Sequence, residues 1–87
     1  MNKRYHPCYL KIRFDNRITI VSNHNAEIFF LNDSAKDILL GYADQKTQEE
    51  MIGTICRKYP RIDNKRIEED VLKITQFMIG ANILFEE

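Results

Sequence analysis

The chain has 87 residues, of which 44% are hydrophobic and 30% are charged, and its 13 Lys and Arg balance 13 Asp and Glu. A chain of this length forms one small domain with a modest core and little spare volume for a deep active site. Zero net charge disfavours a dedicated nucleic-acid binder, since phosphate contacts favour a basic excess. We find no apolar run near the roughly 18 residues of a membrane span and no secretory signal. We therefore expect a cytoplasmic protein with no membrane partner, in which Cys8 and Cys56 stay reduced.

Three short strands are predicted in the first part of the chain. Residues 1–8 are expected to be a loose arm, because His6-Pro7 disfavours helix, and residues 9–87 to form the single domain. Residues 9–14 alternate in polarity, with Leu10, Ile12 and Phe14 on one face of a half-buried strand. The β-branched run 18–21 predicts the second strand, and residues 27–31 predict the third.

Three amphipathic helices are predicted to follow. Asn32 is the expected N-cap of the first helix, and Thr47 with Glu50 forms a capping box before the second. The second helix is expected to stop near Tyr59, because a proline follows it. Asp63 is placed to cap a third helix that runs to about residue 81.

The third strand is unusually apolar. Residues 28–31 are all large and hydrophobic, whereas a strand with one solvated face should alternate. Either this protein's own helices cover both faces, or a partner covers one face or the free edge. An edge strand offers unpaired N–H and C=O groups to an incoming extended peptide.

The third helix has apolar residues on two sides. Its core face is defined by Ile67, Val71, Ile74 and Met78, and Leu72 points roughly the opposite way. Asp70 falls at the margin of that face. We expect Asp70 to pair with Arg66 one turn earlier, and the alternative is that it holds a polar group of a ligand.

The chain carries no catalytic or metal-binding pattern. His6 and His24 lie in a predicted arm and a predicted turn, with no nucleophile or acidic partner at a telling spacing. We find no cluster of metal ligands and no glycine-rich phosphate loop. The sequence therefore predicts a protein that is not an enzyme, without catalytic residues, metal or cofactor.

The order of these elements resembles the PqqD family of small peptide-binding proteins, also described as precursor peptide recognition elements for ribosomally made, modified peptides (RiPPs). The resemblance covers about residues 9–85 and depends on an ordered set of segments: 13–15, 31–35 with 38–39, 47–52, Tyr59, 67–71 and 83–84. The chain departs from the family pattern at Asn82, where a glycine is usual, and in the turn before the third strand, which lacks the usual glycine.

The resemblance implies an α+β, winged-helix-like fold, in which a three-stranded antiparallel sheet precedes three helices. It also implies a peptide chaperone of RiPP or PQQ-type natural product biosynthesis. The leader of a precursor peptide would add as a strand beside the third strand, in a groove shared with the third helix. The positions that match this groove are Glu27, Ile28, Phe29, Phe30, Leu31, Ile67, Asp70, Val71 and Ile74.

The partners implied are the leader peptide and a modifying enzyme, such as a radical SAM protein, a cyclodehydratase or a leader protease. One alternative is a winged-helix DNA-binding protein, which the acidic run 68–70 on the third helix opposes. Another is an accessory subunit that only stabilises a larger enzyme. The exposed strand edge allows either a monomer or a strand-paired or swapped dimer.

Overall fold

The structure of the protein is a computed structural model that describes residues 3–87. The first two residues of the predicted N-terminal arm lie outside this range. The elements follow in the order β1 (Tyr5–Pro7), β2 (Lys11–Asp15), β3 (Ile18–Ser22), β4 (Ile28–Leu31), α1 (Asp33–Ala43), α2 (Gln48–Lys58), α3 (Asn64–Gly80) and β5 (Leu84–Glu86).

The main sheet is antiparallel with the order β2-β3-β4. Asp15 pairs with Ile18 across the first turn, where Asn16 takes a left-handed backbone with a φ of 55°. Phe30 lies opposite Ile20 and Leu31 opposite Thr19 in the β3–β4 pair. The three predicted strands correspond to β2, β3 and β4, so the predicted α+β class with a three-stranded antiparallel sheet and three helices is confirmed.

All three helices begin at the predicted caps. The Asn32 side chain accepts a hydrogen bond from the Ala35 N–H, and the Asp63 side chain accepts one from the Lys65 N–H. Thr47 and Glu50 form both hydrogen bonds of the capping box. The helix ends also agree with the sequence, since Tyr59 follows α2 as its C-cap and Asn82 takes a φ of 57° just after α3.

The core lies between the inner face of the sheet and the three helices. Its fully buried side chains include Val21, Leu39, Tyr42 and Met78. The Tyr42 hydroxyl and Thr75 Oγ1 are 2.9 Å apart and share a buried hydrogen bond. No helix among residues 3–87 is long and apolar enough to cross a membrane.

The predicted loose arm over residues 1–8 is wrong for residues 5–7. These residues form β1, which pairs antiparallel with β5 so that Tyr5 lies opposite Glu86. Tyr5 is buried, and its ring centroid lies 5.1 Å from that of Tyr42. Two three-residue strands far apart in sequence carry no local periodicity, so their pairing is invisible until the fold brings the two ends together.

Strand β2 is less buried than its alternation predicts. Leu10 is 62% exposed and Phe14 is 56% exposed, and only Ile12 packs partly against the core. The prediction of a half-buried face at Leu10 and Phe14 is therefore wrong, because β2 is an edge strand of the sheet and α1 packs against β3 and β4.

Candidate functional site

The outer edge of β4 has no strand beside it in the part of the chain that the structure describes. Along this strand Leu31 is buried and Phe29 is partly buried on the inner face, where the Phe29 and Phe77 rings meet edge to face with centroids 5.9 Å apart. Ile28 and Phe30 point to the outer face and are 60% and 69% exposed. Residues 28–31 thus present a free edge that is apolar on both sides.

A groove runs along α3 beside this edge. Its larger part is a cavity of about 720 Å³ between the start of α1, the end of α2 and α3. A smaller cavity of about 270 Å³ lies between β4, α1 and α3. Both cavities are lined by Asn32, Lys73 and Ile74, so they form one continuous surface that we call the α3 groove.

The nine residues predicted for the site fall into two groups. Glu27, Ile28, Phe30 and Asp70 are exposed, and Phe29 and Ile74 are half-buried, so all six side chains are accessible to some degree. Leu31, Ile67 and Val71 are buried members of the core, although they form part of the groove floor. These three positions support the groove more than they offer a surface to a ligand.

The predicted pairing of Asp70 with Arg66 is wrong. No ion pair joins the two side chains within 4.0 Å among the residues that the structure describes. Both residues are exposed and line the larger cavity together with Lys73. The groove therefore has an apolar floor and a rim that carries both signs of charge.

Residues at the far end of the groove were not predicted as part of the site from the sequence. Tyr59 and Ile62 line the larger cavity beside Ile55 and are 41% and 43% exposed. The sequence does hold a signal for them, because two large apolar residues flank the polar, helix-breaking pair Pro60-Arg61. Phe77 on α3 lies half exposed beside β4 and lines the smaller cavity.

The groove offers a ligand apolar contacts and hydrogen bonds. Burial raises the pKa of the Tyr5, Cys8 and Tyr42 side chains, and none of these groups lines the groove. Within residues 3–87 we find no group of three or more His, Cys, Asp or Glu side chains that could hold a metal ion. His6 pairs with Glu87 at 3.4 Å in the β1–β5 ribbon and does not line the groove.

Small domains can take up an extended peptide as an added strand where a free sheet edge lies beside a groove, and β4 with the α3 groove has this arrangement. The family model described as Coenzyme PQQ synthesis protein D (PqqD) matches residues 18–84, more than half of the chain. The protein belongs to this family. This confirms the resemblance carried by the ordered segments from 13–15 to 83–84.

A solved structure described as TbiB1 in complex with the TbiA(beta) leader peptide has a similar fold. The TM-score is 0.77 at 17% sequence identity, and the match covers 85% of this chain and 86% of that chain. No curated protein matches the sequence.

Proposed function

We propose that this protein is a non-catalytic peptide chaperone that binds the leader of a ribosomally synthesised precursor peptide and presents it to a modifying enzyme. The observation that carries the proposal is the free edge of β4 beside the apolar α3 groove. Membership of the PqqD family and a fold shared with a protein that was solved with a leader peptide support it.

The binding energy would come from two sources. An extended leader that adds antiparallel or parallel to β4 makes main-chain hydrogen bonds, which tolerate many sequences. Its inward side chains would contact Ile74 and Phe77 in the groove and Phe29, whose ring packs on Phe77, and these apolar contacts would select particular residues. A free leader is disordered, so ordering it offsets part of this gain and favours reversible capture.

The partner enzyme would be a radical SAM protein, a cyclodehydratase or a leader protease. A precursor of this kind is modified where it is translated, and the proposal therefore places the protein in the cytoplasm. Capture by strand addition requires that the β4 edge be free, so the active form would be a monomer, or a dimer that leaves this edge open.

An amide chemical-shift titration tests the proposal directly. The titrant is a synthetic peptide with the leader sequence of a short precursor gene encoded beside this one. We expect saturable shifts at Glu27–Leu31, along α3 from Ile67 to Phe77, and at Tyr59. A well-folded spectrum that does not shift, or shifts produced equally well by duplex DNA, would contradict the proposal.

A pair of variants on α3 separates binding from folding. Ile74→Asp places a carboxylate in the groove and should weaken leader binding by roughly a hundredfold, because an unpaired charge would be desolvated there. Leu72→Asp is the matched control, since Leu72 is 40% exposed and lines neither cavity. Calorimetric titration gives the affinities, and circular dichroism checks the fold. Equal binding by the two variants would place the leader elsewhere.

A further inference from the structure

The outer face of the main sheet changes from charged to apolar between β2 and β4. On the outer face β2 contributes Lys11, Arg13 and Asp15, while Ile18 and Ile20 of β3 lie nearer the edge strand. Beyond them Ile28 and Phe30 of β4 are the most exposed apolar residues of the sheet face, at 60% and 69%. The outer apolar surface is thus confined to β3 and β4.

A strand added to β4 determines what covers this surface. Side chains directly opposite each other in adjacent strands stand about 4.5–5.5 Å apart on the same face of the sheet. Every second residue of the added strand would therefore point outward and lie against Ile28 or Phe30. The remaining residues would point inward to Phe29, Ile74 and Phe77.

We infer that the segment captured by β4 carries large apolar residues at consecutive positions, so that both of its faces are recognised. The inference rests on the strand addition proposed above. Because β4 has four residues, Ile28–Leu31, the recognised core is about four residues long, with two apolar side chains on each face. An aromatic or β-branched outward residue suits Phe30, since such cross-strand pairs are favourable.

This specificity explains why β4 does not alternate. The helices cover the inner face, where Leu31 is buried, and they leave Phe30 69% exposed at the border of the smaller cavity. A leader with polar outward residues would leave the Phe30 ring exposed after binding. A leader that is apolar on both faces would remove the ring from water, a gain proportional to the area buried.

The experiment selects peptides on the full-length protein from a displayed library of random 12-residue peptides. We expect the enriched sequences to share a run of about four apolar residues. The protein variant Phe30→Thr should lose the apolar preference at alternate positions only, and should bind the best wild-type peptide about fivefold more weakly. Ile18→Thr is the matched control: Ile18 is also on the outer face and 50% exposed, but it lies on β3 and does not adjoin the added strand.

Three results would overturn the inference. Enriched peptides that alternate apolar and polar residues, with no response to Phe30→Thr, would show that only the inner face is read. An equal loss in Phe30→Thr and Ile18→Thr would show that a wider partner covers the whole outer face. A wild-type dimer in sedimentation that Phe30→Thr dissolves, with no effect on selected peptides, would show that a second copy covers Phe30. Failure of the proposed function itself is distinct: no peptide would be enriched, or enriched peptides would bind Ile74→Asp normally.

Discussion

Asn23 is fully buried in the turn between β3 and β4, and every polar atom of its side chain is used. Its Nδ2 group donates to the Ala81 carbonyl at 2.7 Å and to Glu27 Oε1 at 2.9 Å. Its Oδ1 atom accepts from the Asn25 and Glu27 N–H groups. A single side chain thus shapes the turn that leads into β4 and ties it to the end of α3.

We expect Asn23→Ala to lower the free energy of unfolding by about 3 kcal/mol, because buried backbone groups lose their partners. Asn23→Asp should cost nearly as much, since a carboxylate cannot donate to the Ala81 carbonyl. The exposed neighbour gives the control, His24→Ala, for which we expect a change within about 0.5 kcal/mol. Urea denaturation measures all three. A mild effect of Asn23→Ala would mean that the turn forms without this network.

Replacing Gly41 and Gly53 by alanine is expected to change the stability of the protein in opposite directions. A Cβ added at Gly41 would overlap the Sδ and Cε atoms of the buried Met51 side chain, where α1 packs on α2. A Cβ at Gly53 would meet only the Arg57 guanidinium, at an ordinary 3.5 Å.

Gly41→Ala should therefore destabilise the protein by about 1–3 kcal/mol through overpacking. Gly53→Ala should stabilise it by about 0.5–1 kcal/mol, because alanine loses less backbone entropy in a helix. The denaturation midpoints of the two variants should move in opposite directions from that of the wild type. If both rise, Met51 moves aside at little cost.

At the scale of single elements, the capping box of α2 gives a pH dependence. Thr47 N–H donates to Glu50 Oε1 at 2.9 Å, and this backbone hydrogen bond is the main cause that lowers the pKa of Glu50 below its ordinary value. Because the pKa is lower in the folded state, the ionised carboxylate stabilises the fold above the unfolded-state pKa. That contribution is lost as the pH falls through the folded-state pKa.

We expect Glu50→Gln to flatten the decline in unfolding free energy between pH 6 and about 3, since glutamine keeps the acceptor but does not titrate. Glu49→Gln, in the same first turn but outside the box, should keep the wild-type decline. Thermal unfolding at a series of pH values tests both variants. The same slope in Glu50→Gln as in the wild type would contradict the role of this carboxylate.

The elements that could be predicted from the sequence are those set by local interactions. Asn32, Thr47 and Asp63 cap their helices through side chains only two or three residues from their partners. Alternation and β-branching located the main sheet within a residue or two. Burial in β2 was mispredicted, because alternation shows that two faces differ and does not show how far a helix extends over one of them.

At the scale of the whole molecule, contacts between distant segments offset backbone strain in the turn before β4, which lacks the glycine expected there. Ala26 takes a φ of 64° there, in the region that favours glycine. The Asn23 network holds that turn in place. The site could also be predicted only in part. The apolar excess of β4 was visible in the sequence, whereas the cavity beside Tyr59 and Ile62 exists only once α2 and α3 are packed together.

The two ends of the described chain contact each other and the core. Gln48 N–H donates to the Lys3 carbonyl, Glu87 N–H donates to the Arg4 carbonyl, and the Tyr5 ring packs on Tyr42 in the core. A domain of this size has few residues to spare from its core. The β1–β5 ribbon is therefore part of the stable fold, and not a removable arm.

We expect Tyr5→Ala to lower the unfolding free energy by about 3 kcal/mol, or the melting temperature by roughly 15 °C, through loss of a buried aromatic ring. His6→Ala, one residue along the same strand, should cost no more than about 0.5 kcal/mol, because the side chain of His6 is 40% exposed and its Glu87 partner 62%. Calorimetry on both variants measures the difference. A wild-type melting temperature for Tyr5→Ala, or for a chain that begins at Tyr9, would mean that the ribbon contributes nothing to stability. If the prediction holds, leader-binding assays on this protein require the N-terminal strand, since its loss would unfold the groove together with the core.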